Sequence, residues 1–83
     1  MTLRMLYFAW VREAIGRGEE VVDTGTAMTV GDLVTALAAE EPYATAFAER
    51  DRLRAALDQR FVGLDAVIGQ ARELAIFPPV TGG

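Results

Sequence analysis

The chemically singular group of this chain is expected at its end, where Phe77-Pro78-Pro79-Val80-Thr81-Gly82-Gly83 runs out to a terminal carboxylate. The rest of the sequence offers little catalytic equipment. There is no Cys and no His, which excludes thiol chemistry, disulfides, an imidazole proton shuttle and the commonest metal ligand. All eight basic residues are Arg. Without Lys there is no Schiff-base chemistry, no phosphate-binding ammonium and no isopeptide bond to a side chain of this protein. The carboxylates are scattered among arginines, and no nucleophile–base pair can be assembled.

The terminal stretch has a shape as well as a reactive end. Proline fixes φ and donates no backbone hydrogen bond, so Pro78-Pro79 must stop a central strand. Consecutive prolines favour an extended polyproline conformation, which stiffens the root of the tail. Gly82-Gly83 then carries no side chains and has almost unrestricted φ/ψ. Four residues past Pro79 reach at most about 13–14 Å. That is enough to put a carboxylate into another protein's pocket through a channel too narrow for a Cβ. A frayed terminus is the plain alternative, but it gives no reason for a stiff root and a bare tip.

Composition bounds the remainder. With 83 residues, 52% hydrophobic and 24% charged, the chain should form one globular domain over residues 1–79 with a modest core. Residues 80–83 are expected as a flexible, extended tail. No run approaches the roughly 20 apolar residues of a membrane span. Met1-Thr2-Leu3-Arg4 lacks a basic region followed by an apolar one, so a cytoplasmic protein is expected. A net charge of −4 without a basic cluster makes nucleic acid an improbable partner.

The elements that must position the tail are readable from periodicity. Leu3 to Trp10 predicts a strand, with Leu3, Met5, Tyr7 and Ala9 on one face and Arg4, Leu6, Phe8 and Trp10 on the other. Val11 to Ile15 predicts a short helix closed by Gly16, and Glu19 to Thr24 a second strand forming a hairpin with the first. Thr29 is a helix N-cap with Asp32 as its capping-box partner. The helix from Val30 to Glu40 buries Val30, Leu33, Val34, Leu37 and Ala38 and ends before Pro42. Tyr43 to Glu49 suggests a second short helix, and Glu49-Arg50-Asp51-Arg52 a solvated turn. Strands are expected at Leu53 to Leu57 (Arg54 and Ala56 outward), Arg60 to Leu64, and Glu73 to Phe77. This order suits an α+β fold, a mixed sheet of about five strands with one main helix across one face.

Alternation then makes a second prediction. If Leu3, Met5, Tyr7, Leu74 and Ile76 face the helix, then Leu6, Phe8, Trp10, Ala75 and Phe77 face away, and Phe61 joins them. Such an apolar patch beside the root of the tail reads as a partner site. An inverted register in one strand, with these residues in the core, is the competing reading.

Phe77-Pro78-Pro79-Val80-Thr81-Gly82-Gly83 resembles the C-terminal signature of the small, sulfur-carrier subunits of molybdopterin synthase, a ubiquitin-like family. Tyr7-Phe8-Ala9-Trp10-Val11-Arg12-Glu13-Ala14-Ile15-Gly16 is similar to that family's first strand and helix. The resemblance implies a β-grasp fold with the last strand beside the first. It implies that Gly83 is adenylated by an E1-like enzyme and becomes a thiocarboxylate, with Gly82 as its clearance. ATP would be used by that activating partner, and no cofactor or metal would be bound by this chain. It also implies docking of Phe8, Phe61 and Phe77, with Arg12 as a polar contact and Pro78, Pro79, Val80 and Thr81 as the tail root, on the large synthase subunit. The expected assembly has two small and two large subunits. The chain departs from the family at Gly69-Gln70-Ala71-Arg72, where an Asp-Gly-Asp-like turn is usual, and at Asp58, where Asn is common.

Other readings remain open on the sequence. Carriers for thiamine or tRNA thiolation share the Gly-Gly end. A ubiquitin-like modifier would instead form isopeptide bonds to target lysines, and a plain interaction module would carry an inert tail.

Overall fold

Leu3, Met5 and Tyr7 alternate along β1 (Thr2–Tyr7) and are all buried, so this strand has one face in the core and the other turned outward. In the computed structural model, which describes residues 1–79, β1 is followed by α1 (Ala9–Ile15), β2 (Glu19–Asp23), α2 (Val30–Leu37), α3 (Tyr43–Ala46) and a 3₁₀ turn at Arg50–Arg52. The strands β3 (Arg54–Leu57), β4 (Arg60–Val62) and β5 (Glu73–Phe77) complete the order. They form one five-stranded sheet in the order β2-β1-β5-β3-β4. The central pair, β1 and β5, is parallel, and every other pairing is antiparallel. The last strand therefore lies beside the first, and the chain leaves the middle of the sheet at Pro78.

The core is built on one face only. Leu3, Met5, Tyr7, Leu74 and Ile76 from the central strands meet Val11 and Ile15 of α1, Val30, Leu33 and Val34 of α2, and Phe47 after α3. Each large apolar side chain withdrawn from water here stabilises the fold by about 1.5–3 kcal/mol. The inverted-register reading is thereby excluded for β1 and β5.

Local chemistry explains the boundaries. Thr29 accepts from the Asp32 N–H at 3.0 Å, and the Asp32 carboxylate accepts from the Thr29 N–H at 3.1 Å, completing the expected capping box. The helix stops at Leu37 rather than continuing to Glu40. The Ala39 and Glu40 N–H groups bond three residues back, to Ala36 and Leu37, so the last turn tightens. Gly16 closes α1 at φ 93°, in the left-handed region where a Cβ is strained, and donates to the Arg12 carbonyl at 2.8 Å.

β1 ends at Tyr7 and does not run to Trp10 as its aromatic-rich sequence suggests. Ala9 takes φ 53° and turns the chain into α1, so Trp10 belongs to a helix and its ring lies under the Arg52 guanidinium, 5.5 Å away. Of the apolar residues expected on the outward patch, this segment supplies Leu6 and Phe8.

Candidate functional site

The outward face of the sheet is assembled by strand register. Leu6 pairs with Ala75, Ala75 with Ala56, and Ala56 with Phe61, giving one row across four strands. Two residues further along β5, Phe77 pairs with Arg54. Phe8 comes directly after β1 and donates its N–H to the Ile76 carbonyl at 3.3 Å. Small residues in the middle of the sheet and large ones around them make a depression of about 590 Å³. Ala56 and Ala75 form its floor, Phe8, Phe61 and Phe77 its walls, and Pro78-Pro79 its end.

The burial values show how this face is built. Ala56 and Ala75 are only 6% and 8% exposed, and they share the hollow with Phe8, Phe61 and Phe77. Phe8 and Phe61 are open to solvent, 49% and 83% exposed, while Phe77 is half-buried. The Phe61 and Phe77 centroids are 5.7 Å apart with their planes at 46°, a favourable tilted pair. A folded chain gains little from holding Phe61 in water, and exposed apolar hollows of this kind are the surfaces at which partner sites are sought.

Phe8, Phe61, Phe77, Pro78 and Pro79 are thus brought together. Arg12 is not in that group. It is exposed on α1 and lines a separate depression with Ala9, Glu13, Gly16 and Arg17. Its guanidinium crosses Gly18, where an added Cβ would lie 3.2 Å from Cζ and Nε. Val80, Thr81, Gly82 and Gly83 lie outside the described residues. Reading the sequence placed Ala56 and Ala75 outward but missed their part in the hollow. The available signal was two small residues at outward positions of strands that become neighbours.

Polar side chains pair on both faces of the sheet. Tyr7 and Tyr43 donate their hydroxyls to the same Glu20 Oε2, at 2.7 and 2.6 Å, while Arg17 donates to Oε1 at 3.3 Å. Burial, reinforced by the bond to Glu20, pushes the Tyr7 phenol well above its ordinary pKa of 10.0. That keeps it a hydrogen-bond donor, not a proton-transfer group at neutral pH. On the open face, Arg4 is neutralised by Glu19 at 2.7 Å. Among the described residues, no group of three His, Cys, Asp or Glu side chains could hold a metal, and no helix is long and apolar enough to cross a membrane.

The sheet order, the parallel central pair and the helices on a single face define a β-grasp protein of the ubiquitin-like class. The match to known proteins narrows this further: the model of the ThiS family covers residues 5–83, and the chain belongs to that family. It is 36% identical over 81 residues to the molybdopterin synthase sulfur carrier subunit of Escherichia coli (strain K12), covering 98% of this chain and 99% of that protein. SAMP1 from Haloferax volcanii superposes with a TM-score of 0.74 at 27% identity, over 100% of both chains. The fold is also shared with a chain in the complex of subunits 1 and 2 of molybdopterin-converting factor from Helicobacter pylori 26695 (TM-score 0.63, 18% identity, 100% of both chains).

Proposed function

We propose that this protein is the sulfur-carrier subunit of a molybdopterin synthase, with no catalytic site of its own. The observation that carries the reading is the end-to-end likeness to the Escherichia coli sulfur carrier subunit, 36% identical over nearly the whole of both chains. The aromatic-walled hollow at Pro78-Pro79 supports it, because a carrier must dock firmly at the root of the segment that it inserts.

A carboxylate is a poor electrophile, since its charge repels nucleophiles and oxide is a poor leaving group. In the proposed cycle the Gly83 carboxylate attacks the α-phosphorus of ATP held by an E1-like partner, and pyrophosphate leaves. Sulfide (HS⁻) then attacks the acyl carbon of the resulting adenylate, AMP leaves, the S–H proton is lost, and a terminal thiocarboxylate remains. Docked on the large subunit, the thiocarboxylate sulfur bonds to a carbon of the cyclic pterin precursor as a carbon–oxygen bond there breaks, the oxygen departing on phosphate or as water. Water then cleaves the acyl–sulfur bond, returning the carboxylate. Two such transfers supply the two sulfurs of the dithiolene. Tethering makes each delivery effectively intramolecular. Gly82 and Gly83 provide a bare, narrow end, and Phe8, Phe61 and Phe77 provide the contact. We place the carrier in the cytoplasm and in an assembly of two small and two large subunits.

The test is an intact mass after incubation with the E1-like enzyme, ATP and a sulfur source. The expected exchange of oxygen for sulfur must map to the fragment containing Gly83, since methionine oxidation adds nearly the same mass. It should require ATP and vanish when Gly83 is deleted. Loading that survives that deletion contradicts the assignment.

The likeness to SAMP1, a small archaeal modifier protein, favours a second reading as a ubiquitin-like modifier. Gly-Gly remnants on lysines of other proteins, dependent on this chain, would establish that activity.

A further inference from the structure

Among the described residues, Arg54 is a charge on the open face, beside the aromatic walls, that no ion pair takes up. Arg54 faces outward on β3, is paired in register with Phe77, and lines a second hollow of about 220 Å³ with Phe61 and Phe77. Its Nη1 donates to the backbone carbonyls of Asp51 at 3.0 Å and Leu53 at 2.9 Å. Those two bonds hold the guanidinium by one nitrogen and leave the Nε–H and Nη2–H edge unengaged among the described residues. That edge is a planar fork, matched to the two oxygens of a carboxylate. Ion pairs among the described residues join Arg4 to Glu19, Arg17 to Glu20, Arg52 to Glu49 and the N-terminus to Asp23; none takes up Arg54.

An arginine fixed in this way has lost side-chain freedom before any partner arrives, so less entropy remains to be lost on pairing. Its surroundings also raise the value of a charge pair. Once a partner covers Phe61 and Phe77, water is displaced from the guanidinium's flank, and an unpaired charge there would be costly. A partner that fits this face must therefore answer the charge as well as the hollow.

We propose that Arg54 receives a carboxylate side chain of the docked large subunit through its Nε and Nη2 edge, and that this pair helps set partner affinity and register. The pairing holds only if the open face docks the large subunit as proposed above. The tail and the hollow would bring the partner in, and Arg54 would reject partners lacking an acidic group at that point.

The experiment measures affinity of the full-length chain for the purified large subunit of the same organism, at about 0.05 and about 0.5 M salt. Arg54→Leu keeps an apolar stem suited to a strand but gives up the bonds to the Asp51 and Leu53 carbonyls, so it should stay folded and melt somewhat below the wild type. It is expected to weaken binding about tenfold or more and to flatten the salt dependence. Arg54→Lys retains the charge without the fork and should fall between the two. An acidic residue of the large subunit reversed to Arg should restore binding by Arg54→Glu. Binding by Arg54→Leu within about twofold of wild type, with the same salt slope, overturns the ion pair. If that result accompanies loss of binding in Phe77→Asp, docking stands and only the ion pair falls. If the wild-type chain fails to bind the large subunit, the docking reading falls and the ion pair with it.

Discussion

Asp58 and Glu73 exchange two hydrogen bonds across the gap between the β3–β4 turn and the start of β5. The Asp58 N–H donates to the Glu73 carbonyl at 3.0 Å, and the Glu73 N–H donates to Asp58 Oδ1 at 3.1 Å. The Arg72 N–H adds a third bond to that same oxygen at 3.0 Å. Asp58 sits at φ 47° and Gln59 at φ 71°, the left-handed region that Asp and Asn tolerate best. One side chain therefore closes a tight turn and pins the first residues of the strand whose far end carries Pro78-Pro79. Asp58→Ala would leave two N–H groups without their acceptor, and is expected to lower stability by about 1–3 kcal/mol in urea unfolding. Asp58→Asn keeps an oxygen in place and should cost less than about 1 kcal/mol. Equal stability of the alanine variant and the wild type would remove this role.

The buried Tyr7 hydroxyl makes a prediction about alkaline pH. Its pKa in the fold lies above the ordinary 10.0, first because it is buried and then because it donates to Glu20. Below pH 10 both the folded and unfolded chains keep the proton, and the stabilisation is fully present. As pH rises past 10 the unfolded chain releases the proton while the folded chain retains it. Tyr7 alone then lowers stability by about 1.4 kcal/mol per pH unit until its folded pKa is reached. Tyr43, shifted in the same direction, adds to the fall. Tyr7→Phe should cost about 1 kcal/mol at neutral pH and flatten this decline. Urea midpoints between pH 8 and 11 measure both effects, and an equally steep decline in the variant would show that Tyr7 is not its source.

The parts of the fold legible in the sequence are those set by strong local rules. Alternation put Leu3, Met5, Tyr7, Leu74 and Ile76 in the core because a period of two leaves only one face to bury. Thr29 and Asp32 marked a helix start because both partners of the capping box lie within four residues. Trp10 escaped the same reasoning. An aromatic-rich run looks like a strand, and nothing in its composition announces the positive φ of Ala9 that ends it. The hollow was half legible. Phe8, Phe61 and Phe77 stood out by size, but its floor depends on Ala56 and Ala75 becoming neighbours, which only strand order decides. Asp58 is the clearest case of a residue whose role needed the structure, since its partners lie 14 and 15 residues away in sequence.

The open face should separate binding from folding. Phe61 is 83% exposed, so its ring contributes to the fold chiefly through the tilted contact with Phe77. Phe61→Ser is expected to change stability by no more than about 1 kcal/mol. If the hollow docks the large subunit, the same change removes a central aromatic anchor and should weaken binding by about 2 kcal/mol or more, roughly 30-fold. Leu74 provides the contrast, because it points from the same sheet into the core and is fully buried. Leu74→Ala should cost about 2–5 kcal/mol of stability through the cavity it leaves. Thermal melts and binding titrations on both variants therefore give opposite patterns. A Phe61→Ser protein that melts normally and binds normally would mean that the large subunit does not use this face. A protein that melts early would mean that Phe61 supports the fold more than its exposure implies, because an exposed ring has little burial to lose.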